Sequence, residues 1–313
     1  MLNYVLFAVG LVGLVLGADR LVAGAVRISV RLGLSAQVVG IVIVGLGTSL
    51  PELVTSVDAA LQGSPEAALG NVVGSNIANI LLVLGFGALC VPIKVNARDT
   101  VRDVVWMLGA TLVVIGLAHT GTLERWMGAL LLVALAFYLH RAVKGPAVAN
   151  TPATLPDDDG DSPMGHWRGD AFALVVGFVF LVGGAHVAVV GALGLAKAWG
   201  LSDSLAGIVL LALGTSLPEL VVTVVSIIKK QSDVAVGNIV GSTLFNLLGI
   251  LGVTALVMPL PVPEPMLTVH LWVMLGAIGA GALFVRTGWH LSRVEGGVLL
   301  AAYPIYLFVV IQA

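Results

Sequence analysis

The sequence predicts an all-α polytopic membrane protein: ten transmembrane helices forming two inverted five-helix repeats, with broken helices at a central polar site. Three observations carry this expectation. Hydrophobic residues make up 58% of the 313 residues, charged residues only 10%, and mean hydropathy is +1.07. Ten apolar runs are each long enough to cross a bilayer. One motif-rich segment of the first half recurs in the second half, five runs later.

A soluble enzyme of this length is excluded on composition, since ordinary soluble domains are about a quarter charged. Disorder is excluded by the same excess of apolar surface. The net charge of −2 gives no footprint for nucleic acid. A single cysteine, Cys90, rules out an internal disulfide framework or a cysteine-based zinc cluster. The 39 glycines fit membrane helices, where glycine lets backbones approach closely.

A span needs about 20 mostly apolar residues. By that rule the spans fall at 3–29, 35–61, 67–91, 103–119, 124–143, 170–197, 204–228, 234–258, 266–285 and 290–311. The first run starts at Leu2 with no basic segment before it, so a full span is expected rather than a cleaved signal. The one long polar stretch carries Pro146, Pro152, Pro156, Pro163 and the acidic run Asp157, Asp158, Asp159, Asp161. It reads as a solvated linker. The expected organisation is a first repeat over 1–143, a linker over 144–169 and a second repeat over 170–313. Loops after odd-numbered spans carry twelve Lys or Arg, including Arg27, Lys94, Lys229 and Arg286; the others carry only Arg125 and Lys197. The positive-inside rule then places the linker in the cytoplasm and both termini outside.

The segment 47–85 matches 214–252 without a gap at a constant offset of 167, with nearly half the positions identical. GTSLPELV (47–54) recurs whole at 214–221. GNVVGSNIANILLVLG (70–85) faces GNIVGSTLFNLLGILG (237–252), and GLSAQVVGIV (33–42) faces GLSDSLAGIV (200–209). Chance similarity between apolar helices supplies scattered Leu and Val, not Pro, Glu, Asn and Ser at one offset. Five spans is an odd number, so the copies lie in opposite orientation. Many secondary transporters share that architecture, with the ion site at midplane between the copies.

Glu52 and Glu219 sit inside otherwise apolar spans, where a carboxylate costs a few kcal/mol on insertion scales. No Lys or Arg lies near Glu52 in its span to compensate, so a functional role is expected. Pro51 and Pro218 precede them and should kink or unwind the helices around Gly47–Pro51 and Gly214–Pro218. Freed carbonyls there must line a polar cavity or find neighbours. Thr48 and Ser49 share the face of Glu52, as Thr215 and Ser216 share that of Glu219. The next span of each half carries a polar stripe at four-residue spacing: Asn71, Ser75, Asn79 and Asn238, Ser242, Asn246. Interhelical hydrogen bonding competes with ligation for Asn71 and Asn238, and Gly70-xxx-Gly74 and Gly237-xxx-Gly241 look like close-packing signals. For Ser75, Asn79, Ser242 and Asn246 ligation is the stronger reading.

The set is all oxygen, which suits hard cations rather than zinc or copper. Calcium accepts 6–8 oxygens in flexible geometry, whereas magnesium sheds water reluctantly. A dehydrated midplane site therefore favours Ca²⁺, although two carboxylates could also hold Na⁺ or protons. Protons are expected to compete with calcium at low pH.

The paired GTSLPEL and GN-xx-GS-xxx-N motifs resemble the two α-repeats of the sodium/calcium exchanger, or cation/calcium antiporter, superfamily, and within it the prokaryotic calcium/sodium antiporters. The resemblance implies an alternating-access exchanger moving Ca²⁺ on a Na⁺ gradient, and ten spans with no organelle signal point to a prokaryotic cytoplasmic membrane. It implies Thr48, Ser49, Glu52, Ser75, Asn79, Thr215, Ser216, Glu219, Ser242 and Asn246 as ion ligands, with spans 1 and 6 sliding as a gate. It implies no cofactor beyond the transported Ca²⁺ and Na⁺, and no obligatory protein partner. Asn246, where some relatives have Asp, argues against a potassium requirement. GNVV and GNIV, without an acidic residue after the motif, favour Na⁺ over H⁺. A Ca²⁺/H⁺ exchanger is the alternative, and a cation channel the alternative of another class. Neither HExxH nor GxSxG occurs, so no enzyme is expected.

Asp19 and His186 occupy equivalent places in spans 1 and 6; a local Asp19–Arg20 ion pair is favoured over a gating role. Asp58 reads as a solvated helix end. The 157–161 run lacks EF-hand spacing. His119, His140, His166, His270 and His290 lie near span ends and form no ligand cluster.

Overall fold

Glycine every seven residues sets the first helix pair. Helix α1 (Leu2–Leu32) carries Gly10, Gly17 and Gly24, and α7 (Trp167–Ala198) carries Gly177, Gly184 and Gly191. A Cβ on Gly17 would lie 2.4 Å from the Leu181 amide nitrogen, and one on Gly184 would lie 2.5 Å from that of Leu14. The two backbones therefore touch, running antiparallel, at a distance only glycine permits. At one end of the pair Asp170, in the first turn of α7, accepts from Arg27 Nε at 2.8 Å and Arg31 Nε at 2.5 Å. A carboxylate at a helix N-terminus and cations at a helix C-terminus both suit the helix dipoles. Gly33, at φ 64°, ends α1 in the left-handed conformation.

The computed structural model describes residues 1–144, 167–198 and 214–312. In the first half α1 is followed by α2 (Ala36–Thr48), α3 (Leu50–Leu61) and α4 (Pro65–Cys90). Strand β1 (Ile93–Lys94), α5 (Ala97–Ala118), strand β2 (Thr122–Leu123) and α6 (Arg125–Lys144) complete it. The second half contains α7, α8 (Leu217–Ile228), α9 (Ser232–Val257), strand β3 (Leu260–Pro261), α10 (Met266–Arg286), strand β4 (His290–Leu291) and α11 (Arg293–Gln312). Among the described residues seven helices are long and apolar enough to cross a membrane, or eight if the bent pair α2–α3 counts as one span. The expected span at 204–228 is described only from Gly214, and GLSDSLAGIV (200–209) lies outside the described residues. So do 145–166, which hold the acidic run, the four linker prolines and His166.

The structure corrects two boundaries. Helix α5 begins at Ala97, six residues before the expected span, because Asn96 Oδ1 caps it by accepting from the Arg98 and Asp99 amides. Its charged first turns stay helical by pairing internally: Arg102 meets Asp103 at 2.7 Å and Asp99 at 3.5 Å. The last span starts at Arg293 rather than 290, since His290–Leu291 is a strand. Four two-residue strands accompany the all-helical body. Ribbons β1–β4 and β2–β3 each pair antiparallel, and each joins one half of the chain to the other.

The apolar interior forms two clusters. The larger lies among α4, α5, α6, α9, α10 and α11, around Ile77, Leu131, Leu247 and Leu271. The smaller, with Leu14, Leu21 and Leu181, lies between the α1–α7 pair and α2. Inside the larger body α2 and α9 approach as closely as α1 and α7. A Cβ on Gly237 would lie 2.3 Å from the Gln37 carbonyl, and one on Gly241 2.6 Å from that of Ile41. The second small-residue motif is thus a packing contact. Gly70 and Gly74 have nothing within 4 Å where a Cβ would stand, among the described residues. The positions equivalent to Gln37 and Ile41 are 204 and 208, which are not described.

Candidate ion-binding site

The proline motif breaks its helix at a single residue. Ser49 (φ −86°, ψ 3°) separates α2 from α3, and the two axes diverge by 41°. Ser216 (φ −88°, ψ 2°) repeats the break before α8. The expected unwinding over Gly47–Pro51 contracts to this one turn because Pro51 falls in the first turn of α3, where no amide hydrogen is needed. Pro218 does the same in α8. Glu52 and Glu219 consequently occupy first helical turns. The positive end of a helix dipole faces each carboxylate, partly offsetting its removal from water.

Both carboxylates are 1% exposed. Among the described residues, no Lys or Arg pairs with either. Around them Thr48, Ser49, Ser75, Asn79, Ser216, Ser242 and Asn246 are all buried, and Thr215 is half-buried. Contacts cross between the halves. Ser49 Oγ donates to Glu219 Oε1 at 3.3 Å. Thr48 Oγ1 lies 3.1 Å from Asn238 Oδ1 and 3.2 Å from Ser242 Oγ, and Ser242 Oγ donates to the Gly45 carbonyl at 3.2 Å. A carbonyl in the turn before the break is thereby satisfied by a side chain of the other half, as the hydrocarbon interior requires.

Asn71 and Asn238 act as braces. Asn238 Nδ2 donates to the Glu219 carbonyl at 3.2 Å and to Thr223 Oγ1 at 3.1 Å. Asn71 Nδ2 donates to the Glu52 carbonyl at 3.3 Å and to Ser56 Oγ at 2.9 Å. Each amide thus holds the backbone of the glutamate-bearing helix against the next helix. The same pairing recurs at the offset of 167.

Asn79 and Asn246 stand at π-helical turns, Asn79–Leu84 in α4 and Phe245–Ile250 in α9. Such turns loosen the helical ladder and recur at functional positions. Nothing in the residue pattern signalled them; the repeated Asn at the offset was the only trace. Glu52 Oε2, Glu219 Oε2, Asn79 Oδ1, Asn246 Oδ1 and Ser216 Oγ are buried without a hydrogen-bond partner. Buried polar atoms are nearly always paired. Five oxygens are thus left open, two of them on carboxylates, and the Asn79 and Asn246 amide nitrogens are likewise unpartnered. Residues that sequence reasoning missed are Ser56 and Thr223, the hydroxyls that receive the brace amides.

The outlying candidates separate from this cluster. Asp19 Oδ1 pairs with Lys229 Nζ at 2.5 Å, not with Arg20, because the end of α8 passes beside α1 there. His186 is exposed, and Asp58 is exposed and accepts from Gln62 at 2.6 Å.

The chain matches the family described as sodium/calcium exchanger protein over residues 2–144 and 170–312. It is 36% identical to the putative antiporter CaxA of Alkalimonas amylolytica, with 97% of each chain covered. It is 33% identical to the sodium/calcium exchanger MaX1 of Methanosarcina acetivorans, with 98% of each covered. Its fold superposes on the sodium-calcium exchanger NCX_Mj, soaked with 10 mM Na⁺ and zero Ca²⁺, with a TM-score of 0.84 at 30% identity over 98% of both chains. On the match of both halves to the family, and of the whole chain to these relatives, this membrane protein belongs to the sodium/calcium exchanger family.

Proposed function

We propose that the chain is a secondary antiporter that exchanges Ca²⁺ for Na⁺ by alternating access at one midplane, all-oxygen site. The observation that carries this reading is the set of five buried, unpartnered oxygens around Glu52 and Glu219. Two carboxylates match the charge of one Ca²⁺, and hydroxyl and amide oxygens complete a flexible hard-cation shell. Thr48, Ser49, Ser75, Thr215 and Ser242 are the remaining ligands of the proposal, with Thr48, Ser49 and Ser242 alternating between ion contact and the hydrogen bonds described. Na⁺ ions take the same oxygens in the return step. The sharing of ligands makes the two ions compete rather than travel together.

The architecture proposed with it is ten spans in two inverted repeats. The equivalent helices α1 and α7 run antiparallel, and the equivalent braces Asn71 and Asn238 hold equivalent glutamate helices. The proposed membrane is a prokaryotic cytoplasmic membrane, and the distribution of basic residues supports a cytoplasmic linker with both termini outside. The test is Ca²⁺ uptake into proteoliposomes under an imposed outward Na⁺ gradient. Uptake that saturates and demands Na⁺ on the opposite face is the expected result. Uptake driven by a proton gradient alone, or a flux with no counter-ion requirement, would overturn the coupling or the carrier mechanism respectively.

A further inference from the structure

Away from the ion site a half-open recess, with a cavity of about 50 Å³ at its base, lies between α5 and α10, floored by α4 and α9. Its walls are almost wholly aliphatic, including Ile80, Met107, Ile239, Ile278 and Val285. One polar side chain lines it. Thr100 is 6% exposed, and its hydroxyl has no hydrogen-bond partner. A lone buried hydroxyl in an aliphatic recess is a group waiting for an acceptor that the protein does not supply.

The ribbon β1–β4 closes one end of the recess. Strand alternation turns Ile93 and Leu291 inward, where both line the recess, and turns their neighbours Lys94 and His290 outward. Arg286, one residue past the lining Val285, is exposed at the end of α10, and the half-open Trp289 follows it. Tryptophan beside basic residues marks the headgroup level of a bilayer. Neither Lys94 nor Arg286 has an acidic partner among the described residues. Two of the acidic groups nearby are otherwise engaged, and Asp233 stands near Asp99. Glu295 accepts from Ser292 and Thr287, and Asp99 faces Arg102.

We propose that this recess binds one anionic glycerophospholipid. An acyl chain fills the aliphatic interior, the Thr100 hydroxyl donates to an ester carbonyl, and Lys94 and Arg286 hold the phosphate. An aliphatic wall, a single hydroxyl donor and two cations beside the closing ribbon match the parts of a phospholipid from tail to head. Each basic residue near an anionic headgroup contributes several-fold in affinity, so two of them set a preference of about tenfold or more over a zwitterionic lipid.

Native mass spectrometry of the detergent-purified full chain tests this. Phosphatidylglycerol and phosphatidylcholine with identical acyl chains would be titrated separately, and phosphatidylglycerol again in the presence of inorganic phosphate. The expected result is one phosphatidylglycerol retained at least about tenfold more tightly than phosphatidylcholine. The double variant Lys94→Gln/Arg286→Gln should lose that preference. Thr100→Val, which keeps the shape, should weaken both lipids, and Ala282→Phe should exclude both by filling the recess. Unfolding temperatures in detergent identify any variant that misfolds, and Thr100→Val keeps the test open if another does. Equal retention of the two lipids by the wild-type chain would overturn the proposal. So would a preference that survives the double variant, or displacement of the lipid by phosphate alone.

Discussion

The hydroxyl of Ser49 donates to the carboxylate of Glu219 at 3.3 Å, joining the broken helix of one half to the acidic helix of the other. The site therefore belongs to neither repeat alone. Each glutamate arises within its own GTSLPEL motif, and the hydrogen bonds that join the two halves link residues 170–197 positions apart, as the Thr48 contact with Ser242 also shows.

Neutralising either carboxylate should abolish exchange. Glu52→Gln and Glu219→Gln keep the size of the side chain but halve the negative charge facing the cation. Na⁺-driven Ca²⁺ uptake in proteoliposomes is expected to fall on the order of a hundredfold in each, because calcium affinity follows the charge of its ligands. Activity retained by both variants would mean that the ion passes elsewhere.

Acid should inhibit transport. Protons bind the same carboxylate oxygens and cancel the charge that attracts Ca²⁺, so inhibition deepens as pH falls. Initial uptake rates compared at about pH 8 and about pH 5, with membrane potential clamped, should drop at the acidic value. A flat profile would place the titrating carboxylates outside the transport step.

The two braces should differ in strength. Asn238 is fully buried and its side chain engages Glu219, Thr223 and Thr48. Asn238→Ala leaves those groups unpaired and is expected to cost about 1–3 kcal/mol. Asn71 is only half-buried, and Asn71→Ala should cost less, about 1 kcal/mol. Unfolding in detergent, followed by intrinsic fluorescence, ranks the two.

Close helix approach should make one glycine indispensable and another dispensable. A Cβ on Gly17 meets the Leu181 nitrogen at 2.4 Å, whereas Gly276 on α10 has open space there. Gly17→Leu is expected to force α1 and α7 apart and lower both stability and transport. Gly276→Ala should be neutral or stabilising by up to about 1 kcal/mol, since alanine restrains the helix better. Equal effects of the two would contradict the backbone contact.

Much of the molecule was legible from residues alone. Hydropathy located the apolar helices because the bilayer interior permits little else. The offset of 167 located the buried polar cluster because polar residues do not recur in hydrocarbon by chance. Glu52, Glu219 and the stripes behind them follow from that single argument. Tertiary structure decided the rest. The start of α5 depended on a capping Asn and internal charge pairs, which hydropathy counts as the end of a span. The partner of Asp19 is Lys229, 210 residues away, and no local pattern carries such a contact. The ribbons β1–β4 and β2–β3 are two residues per strand, too short for any periodicity, and exist only because the two halves bring their edges together. The π turns at Asn79 and Asn246, and the oxygens left open beside them, emerge from packing between helices. A sequence fixes which groups must leave water, by their apolar length and their charge. Which of those groups then meet is set by close contacts between distant segments, and those have no signature along the chain.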